Sequence, residues 1–220
     1  MKKTISLAVT VLLAFNASAQ FQKGNKVLGF GLNAGSSKTK LENTTVLQTN
    51  NSTSLGLSAE LGFAVKENRL NGFFAGTDYS WNKAEFPNQP SVNYKNSYFS
   101  TNGGYFTRRY KKLGGDFFVF GEGRIGANYQ QSINNVSSSS EDKMQRVGVN
   151  AGLYPGIAYK WNSRFLFEVR FADFVNVGYA WQKNKSANGN SSTQNGFNLG
   201  TSLGLGYLNN IGIGARWIIK

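Results

Sequence analysis

The sequence predicts an all-β fold: an eight-stranded antiparallel up-and-down barrel that crosses a membrane, with four long extracellular loops and three short periplasmic turns. Three observations lead there. Apolar residues recur with period two in segment after segment, the stretches between those segments alternate between long and short, and the first nineteen residues read as an export signal.

The signal comes first in the chain. Lys2 and Lys3 precede an apolar run from Ile5 to Phe15, and Ala17-Ser18-Ala19 puts small residues where a signal peptidase inspects them. The run is too short to cross a hydrocarbon layer of roughly 30 Å as a helix. Residues 1–19 are therefore expected to be removed, leaving residues 20–220 as a barrel domain. The chain has no Cys, so neither a lipid-modified cysteine nor a disulfide is expected in the exported protein. The formal net charge is +13, or +11 once Lys2 and Lys3 are lost. In an exported chain such a balance points to anionic headgroups and lipopolysaccharide phosphates, with no nucleic acid partner.

The strands follow in order. Leu28, Phe30, Leu32 and Ala34 alternate with Val27, Gly29, Gly31 and Asn33. The clearest strand is Ser54 to Val65, with Leu55, Leu57, Ala59, Leu61, Phe63 and Val65 on one face and Ser54, Gly56, Ser58, Glu60 and Gly62 on the other. Phe73, Ala75, Thr77, Tyr79 and Trp81 then oppose Gly72, Phe74, Gly76 and Asp78. A weakly apolar fourth strand runs from about Val92 to Tyr110. In the fifth, Phe117, Val119, Ile125, Ala127 and Tyr129 oppose Phe118, Phe120, Glu122, Arg124 and Asn128. Val147, Val149, Ala151, Leu153, Ile157 and Tyr159 mark the sixth, Phe165, Phe167, Val169 and Phe171 the seventh, and Ile211 to Ile219 the last. Lys66 to Arg69, Lys111 to Gly115 and Lys160 to Arg164 are the short turns. Ser36 to Thr53, Asn82 to Ser91, Gln130 to Asp142 and Lys183 to Asn195, rich in Asn, Ser and Thr, are the long loops. Both termini then lie on the periplasmic side of the outer membrane.

Composition decides which face meets lipid. The less apolar face is mostly Gly and Ser, which suits a narrow lumen better than a water-facing sheet. Its isolated charges are Glu60, Asp78, Arg108, Glu122, Arg124, Arg146, Glu168, Arg170 and Arg216, expected to pair as a lumen charge network because a lone buried charge costs several kcal/mol. Tyr79, Trp81 and Tyr129 fall towards the loops, and Tyr159, Trp161, Phe165 and Trp217 towards the turns, as two interfacial aromatic girdles. Pro155, beside Gly156, cannot donate to a strand ladder and marks a bulge or a lateral opening in the wall. A symmetric last hairpin would place Phe165 near Trp217 and Asp173 near Asn209 at the outer interface. Residues 175–207 would then stand above the membrane as a ribbon for a surface partner, whereas a bulge near Asp173 would fold them back into the wall.

Catalytic chemistry finds little support. No His and no Cys are present, which removes the usual base, nucleophile and transition-metal ligands. Glu141-Asp142, beside Lys143, reads as a solvated loop face. No enzyme activity, cofactor or metal is expected.

The stretch GYFTRRYKKLGGDFFVFGEGRIGANY, Gly104 to Tyr129, resembles the small outer-membrane barrels of Bacteroidetes-type bacteria, similar in architecture to OmpX, OmpW and OmpA-type barrels. The matching residues are Phe106, Arg108, Tyr110, Phe117, Phe118, Phe120 and Glu122. The resemblance implies a monomer assembled by the barrel assembly machinery. Such barrels usually end on an aromatic residue, whereas this chain ends Trp217-Ile218-Ile219-Lys220. The expected role is a non-enzymatic barrel with a plugged lumen, working through its loops in envelope integrity or surface interaction. The alternatives are a narrow transport protein for small or lipophilic molecules and a soluble periplasmic binding barrel.

Overall fold

The computed structural model describes residues 21–42, 47–86, 93–136, 140–171, 173–201 and 212–219. The expected signal peptide, Asn209, Leu203 and Lys220 lie outside the described residues. Among the described residues there are ten strands: β1 (Lys26–Glu42), β2 (Leu47–Lys66), β3 (Arg69–Glu85), β4 (Tyr94–Gly114), β5 (Phe117–Val136), β6 (Ser140–Lys160), β7 (Phe165–Arg170), β8 (Val175–Lys185), β9 (Ser191–Gly200) and β10 (Gly212–Ile219). No helix among the described residues is long and apolar enough to cross a membrane.

Every pairing is antiparallel, and eight strands close a ring in the order β1-β2-β3-β4-β5-β6-β7-β10, with β10 returning to β1. Over the turn half, where β10 meets Lys26–Leu32 of β1, closure removes the sheet edges, the only way strands can satisfy their backbone in lipid; nearer the loops, among the described residues, β9 pairs with β8 alone. β8 continues the seventh staircase of the ring beside the loop half of β6, and β9 pairs back onto β8.

Parity survives around the ring. Leu28, Leu61, Phe73, Tyr105, Ile125 and Ala151 are linked pair by pair across six strands on the outer face. Phe30, Leu57, Phe73, Ile125, Val149 and Ile213 are each more than half exposed on that surface. From Tyr159 to Val147, twelve steps of roughly 3.3 Å at a tilt near 40° climb about 30 Å, the height of an apolar belt with its interfaces. Tyr79 and Trp81 pack together at the loop side (ring centroids 5.7 Å apart), and Phe165 stacks on Trp217 at the turn side (6.3 Å).

The turns are as short as their spacing predicts. Glu67-Asn68 joins β2 to β3 with Asn68 at a positive φ of 57°, and Gly115-Asp116 joins β4 to β5 with Gly115 at 53°, both the left-handed conformation a tight turn needs. At Lys160–Phe165, Asn162 Oδ1 accepts from the amides of Arg164 (2.8 Å) and Phe165 (3.0 Å).

The long loops need correction. Much of Ser36–Thr53, Asn82–Ser91, Gln130–Asp142 and Lys183–Asn195 is strand, since β1 runs on to Glu42, β2 begins at Leu47, β3 reaches Glu85 and β5 reaches Val136. Apolar alternation stops where lipid stops, but backbone pairing does not require it. Polar residues on both faces are what a strand carries once both faces meet water. Asp142 is part of this framework: its Oδ1 accepts from the Ala187 amide (2.9 Å) and the Ser186 hydroxyl (3.0 Å), tying the β8–β9 turn to β6.

The last hairpin also departs from symmetry. Phe165 does lie opposite Trp217, but nearer the loops the register changes, with Tyr179 opposite Phe197 and Asn176 opposite Gly200. Tyr179 and Trp181 lie beside Val149 and Val147 of β6 and continue the apolar belt, so residues 175–185 are wall rather than a free ribbon. Asp173 lines the lumen and does not mark an outer interface.

Candidate functional site in the barrel lumen

Three layers fill the interior from the turn end to the loop end. The lowest is an apolar plug. Val27, Leu70, Phe106, Phe118, Phe120, Ala158, Leu166 and Ile218 turn inward and are buried. Phe21, just before β1, closes the layer from below with its ring 4.9 Å from Tyr110. Alternation does not predict this layer. Its signal is in the sequence as inward-parity Phe118, Phe120 and Leu166, but there both strand faces are apolar, so a period of two has no contrast to reveal.

The second layer is ionic. Arg108, 1% exposed, donates from Nε to Glu122 Oε2 (2.6 Å) and from Nη1 to Tyr110 Oη (3.1 Å), and pairs with Glu168. Arg216 donates from Nε to Glu168 Oε2 (2.6 Å) and pairs with Glu60, and Arg124 pairs with both Glu60 and Glu122. Arg170 holds Glu60 Oε1 at 3.4 Å and Glu122 Oε1 at 3.7 Å. Aromatic rings cover the guanidiniums: Phe120 lies 4.3 Å from Arg108 Cζ and Phe74 lies 4.5 Å from Arg124 Cζ. Four arginines and three glutamates from β2, β4, β5, β7 and β10 form one cluster. Removing any one would leave an opposite charge buried with fewer partners. The cluster also pins register, because a one-residue slip would turn these charges to lipid.

Two of the nine expected charges stand apart. Asp78 lies four residues nearer the loops than Phe74, the partner of Glu60, and Arg146 lies six beyond Gly152, the partner of Arg124. At roughly 3.3 Å per residue these offsets exceed side-chain reach. Asp78 instead accepts from Asn33 Nδ2 (3.1 Å) and the Ser100 hydroxyl (3.5 Å).

The third layer is open space. A cavity of about 480 Å³ sits on the ionic cluster, lined among others by Asn33, Ser58, Asp78, Asn102, Asn150, Tyr154 and Arg170. A second cavity of about 360 Å³ shares Asp78, Asn102, Asn150, Tyr154 and Asp173 with it and reaches Gln130 and Arg146. Lumen glycines make the room: a Cβ at Gly29 would come within 3.0 Å of Arg216 Nη1 and 3.3 Å of Glu60 Cβ.

Pro155 lies where the wall is interrupted. Its carbonyl accepts from the Phe171 amide (3.0 Å), and the amide of Phe174 goes to Leu153 O (2.7 Å). A residue's N–H and C=O point to the same side of a strand, so the donor that Pro155 lacks would have faced this neighbour. β7 ends at Arg170, opposite Gly156, and β8 resumes at Val175, opposite Leu153, which inserts two extra residues into the seventh staircase. Phe120 lies over Gly156 so closely that a Cβ there would collide with its ring.

Among the described residues no cluster of acidic side chains suited to a metal ion is present. An apolar belt, aromatic girdles and a polar, charge-paired interior define the class: this is a transmembrane β-barrel. No family model matches the chain, and no curated protein matches it. Among solved structures it is similar to the crystal structure of Neisserial surface protein A, with 13% identity and a TM-score of 0.35, covering 89% of this chain and 97% of that one. It is similar to a major outer membrane protein from Thermus thermophilus (11% identity, TM-score 0.44, 89% and 99% covered). The transport unit of the autotransporter AIDA-I from Escherichia coli is a further likeness (9% identity, TM-score 0.34, 99% and 97% covered). These are loose likenesses.

Proposed function

We propose that this chain is a small non-enzymatic barrel of the outer membrane, closed to through-passage and serving envelope integrity or surface contact through its loop-end strands. The carrying observation is the sequence of apolar plug and ionic cluster, in which Arg108 and Glu122 are each almost wholly buried across the lumen. Lipid and lipopolysaccharide phosphates are its environment, met by Lys38, Lys40, Lys83, Lys95, Lys143, Lys183 and Lys185 on the loop half. Kinship with the Bacteroidetes-type barrels belongs to this reading and rests on the segment Gly104–Tyr129. The protein acts as a monomer inserted by the barrel assembly machinery. Planar-bilayer recording tests the closed lumen: the wild type gives no steady conductance, and Arg108→Ala with Glu122→Ala opens small channels. Steady wild-type conductance would defeat the reading.

A narrow transport role for small or lipophilic molecules is favoured by one observation, the interruption of the wall opposite Pro155. Under that reading, a nitroxide-labelled fatty acid added outside is relaxed by a paramagnetic label placed at Phe174.

A further inference from the structure

We propose that the loop-side cavity is a dead-end binding site for a singly charged, hydroxyl-rich ligand: a sugar acid of the hexuronate type, entering from the loop side. The charge argument starts at the floor. Three glutamates hold three arginines in close pairs, while Arg170, the fourth, has among the described residues only the 3.4 and 3.7 Å ionic contacts and a side chain about one-third exposed on the cavity wall. One guanidinium is thus left with donors to spare, in the planar geometry that takes a carboxylate through two parallel hydrogen bonds. Arg216 Nη1, buried against Gly29 in the same floor, has no hydrogen-bond partner, so the basic side of the cluster is under-satisfied at a second point.

Above the floor the chemistry changes from charge to carboxamide. Asn33, Asn102 and Asn150 project into the space with Asp78, each from a different strand. Carboxamides offer donors and acceptors side by side, the match for hydroxyls that do both. Tyr154 supplies a ring face and a hydroxyl next to Arg170 (5.7 Å from ring centroid to Cζ). Asp78 and Asp173 in the lining oppose a multiply charged anion such as phosphate. A cavity of about 480 Å³ lies within the range of small-molecule sites. With the plug below, exchange takes place on the loop side of the ionic cluster.

The test is calorimetric titration of the folded mature barrel in detergent micelles with galacturonate, glucose and acetate. Galacturonate should bind saturably and at least tenfold more tightly than either fragment. Arg170→Gln should erase its advantage over glucose, and Asn102→Ala should weaken galacturonate severalfold while leaving acetate unchanged. Heat-modifiable gel migration reports folding, and if Arg170→Gln does not fold, Asn102→Ala decides. Trigalacturonate distinguishes the source: tighter binding than the monomer points to a polysaccharide end, and equal binding to the free sugar acid. No saturable heat with galacturonate, equal affinity for acetate, or wild-type behaviour of Asn102→Ala would overturn the assignment.

Discussion

Replacing Glu122 with Gln probes the ionic layer at its most buried acid. The Glu122 side chain is fully enclosed and accepts from Arg108 Nε at 2.6 Å while pairing with Arg124. The change conserves shape but moves the cluster from four arginines and three glutamates to four and two, and it turns a carboxamide N–H₂ towards a guanidinium. Breaking a buried pair from one side costs about 3–5 kcal/mol. The lower end applies here, because Arg108 keeps Glu168 and Arg124 keeps Glu60. A loss near 3 kcal/mol shifts the folding equilibrium roughly a hundredfold. Urea titration in detergent, read by the fluorescence of the outward Trp81, Trp161, Trp181 and Trp217 and by gel migration, measures it. Arg124→Gln in the same chain should recover part of the loss by restoring the balance to three arginines and two glutamates, a coupling that a double-mutant cycle isolates. If Glu122→Gln is as stable as the wild type to within about 0.5 kcal/mol, the size of an ordinary surface change, the cluster does not hold the lumen together.

Further outcomes follow from the wall. Arg introduced at Leu61 or Val149, on the lipid face, should cost roughly 2–4 kcal/mol in vesicle folding equilibria, while Arg at Ser52, nearer the loops, should be nearly neutral; equal tolerance would argue for a soluble fold. Gly156→Ala should lose about 1–3 kcal/mol because its Cβ meets both the Phe120 ring and the Val169 carbonyl, and Phe120→Leu should recover only part of the loss in the same unfolding assay. Single-Trp variants keeping Trp81 or Trp217 should be quenched more by lipids brominated near the headgroup than near the chain ends. The opposite order would displace the girdles.

Barrel class, strand count in the ring and inward or outward parity were legible because lipid imposes period two on the sequence. Glu60, Arg108, Glu122, Arg124, Glu168, Arg170 and Arg216 were found that way, and they meet in one cluster. Parity gives a side and not a height, so Asp78 and Arg146 could be assigned to the lumen but not separated from that cluster. Height depends on register, which reveals itself only through pairs such as Asp78 opposite Gly56. The interruption between Arg170 and Val175 was legible only as an alternative, a bulge near Asp173, for a related reason: the two added residues preserve parity, so the apolar rhythm runs through unchanged.

Arg216 on β10 reaches Glu60 on β2, a partner 156 positions earlier in the chain. That contact can form only after the final strand has met the first. Until then Glu60 and Glu168 each lack one of their arginines and the charged face of the sheet is not enclosed, which makes it a poor guest for hydrocarbon. Completion of the ring and enclosure of its charges are therefore a single event. Insertion should be all-or-none, with half-zipped sheets held back in water until the eight residues of β10 arrive.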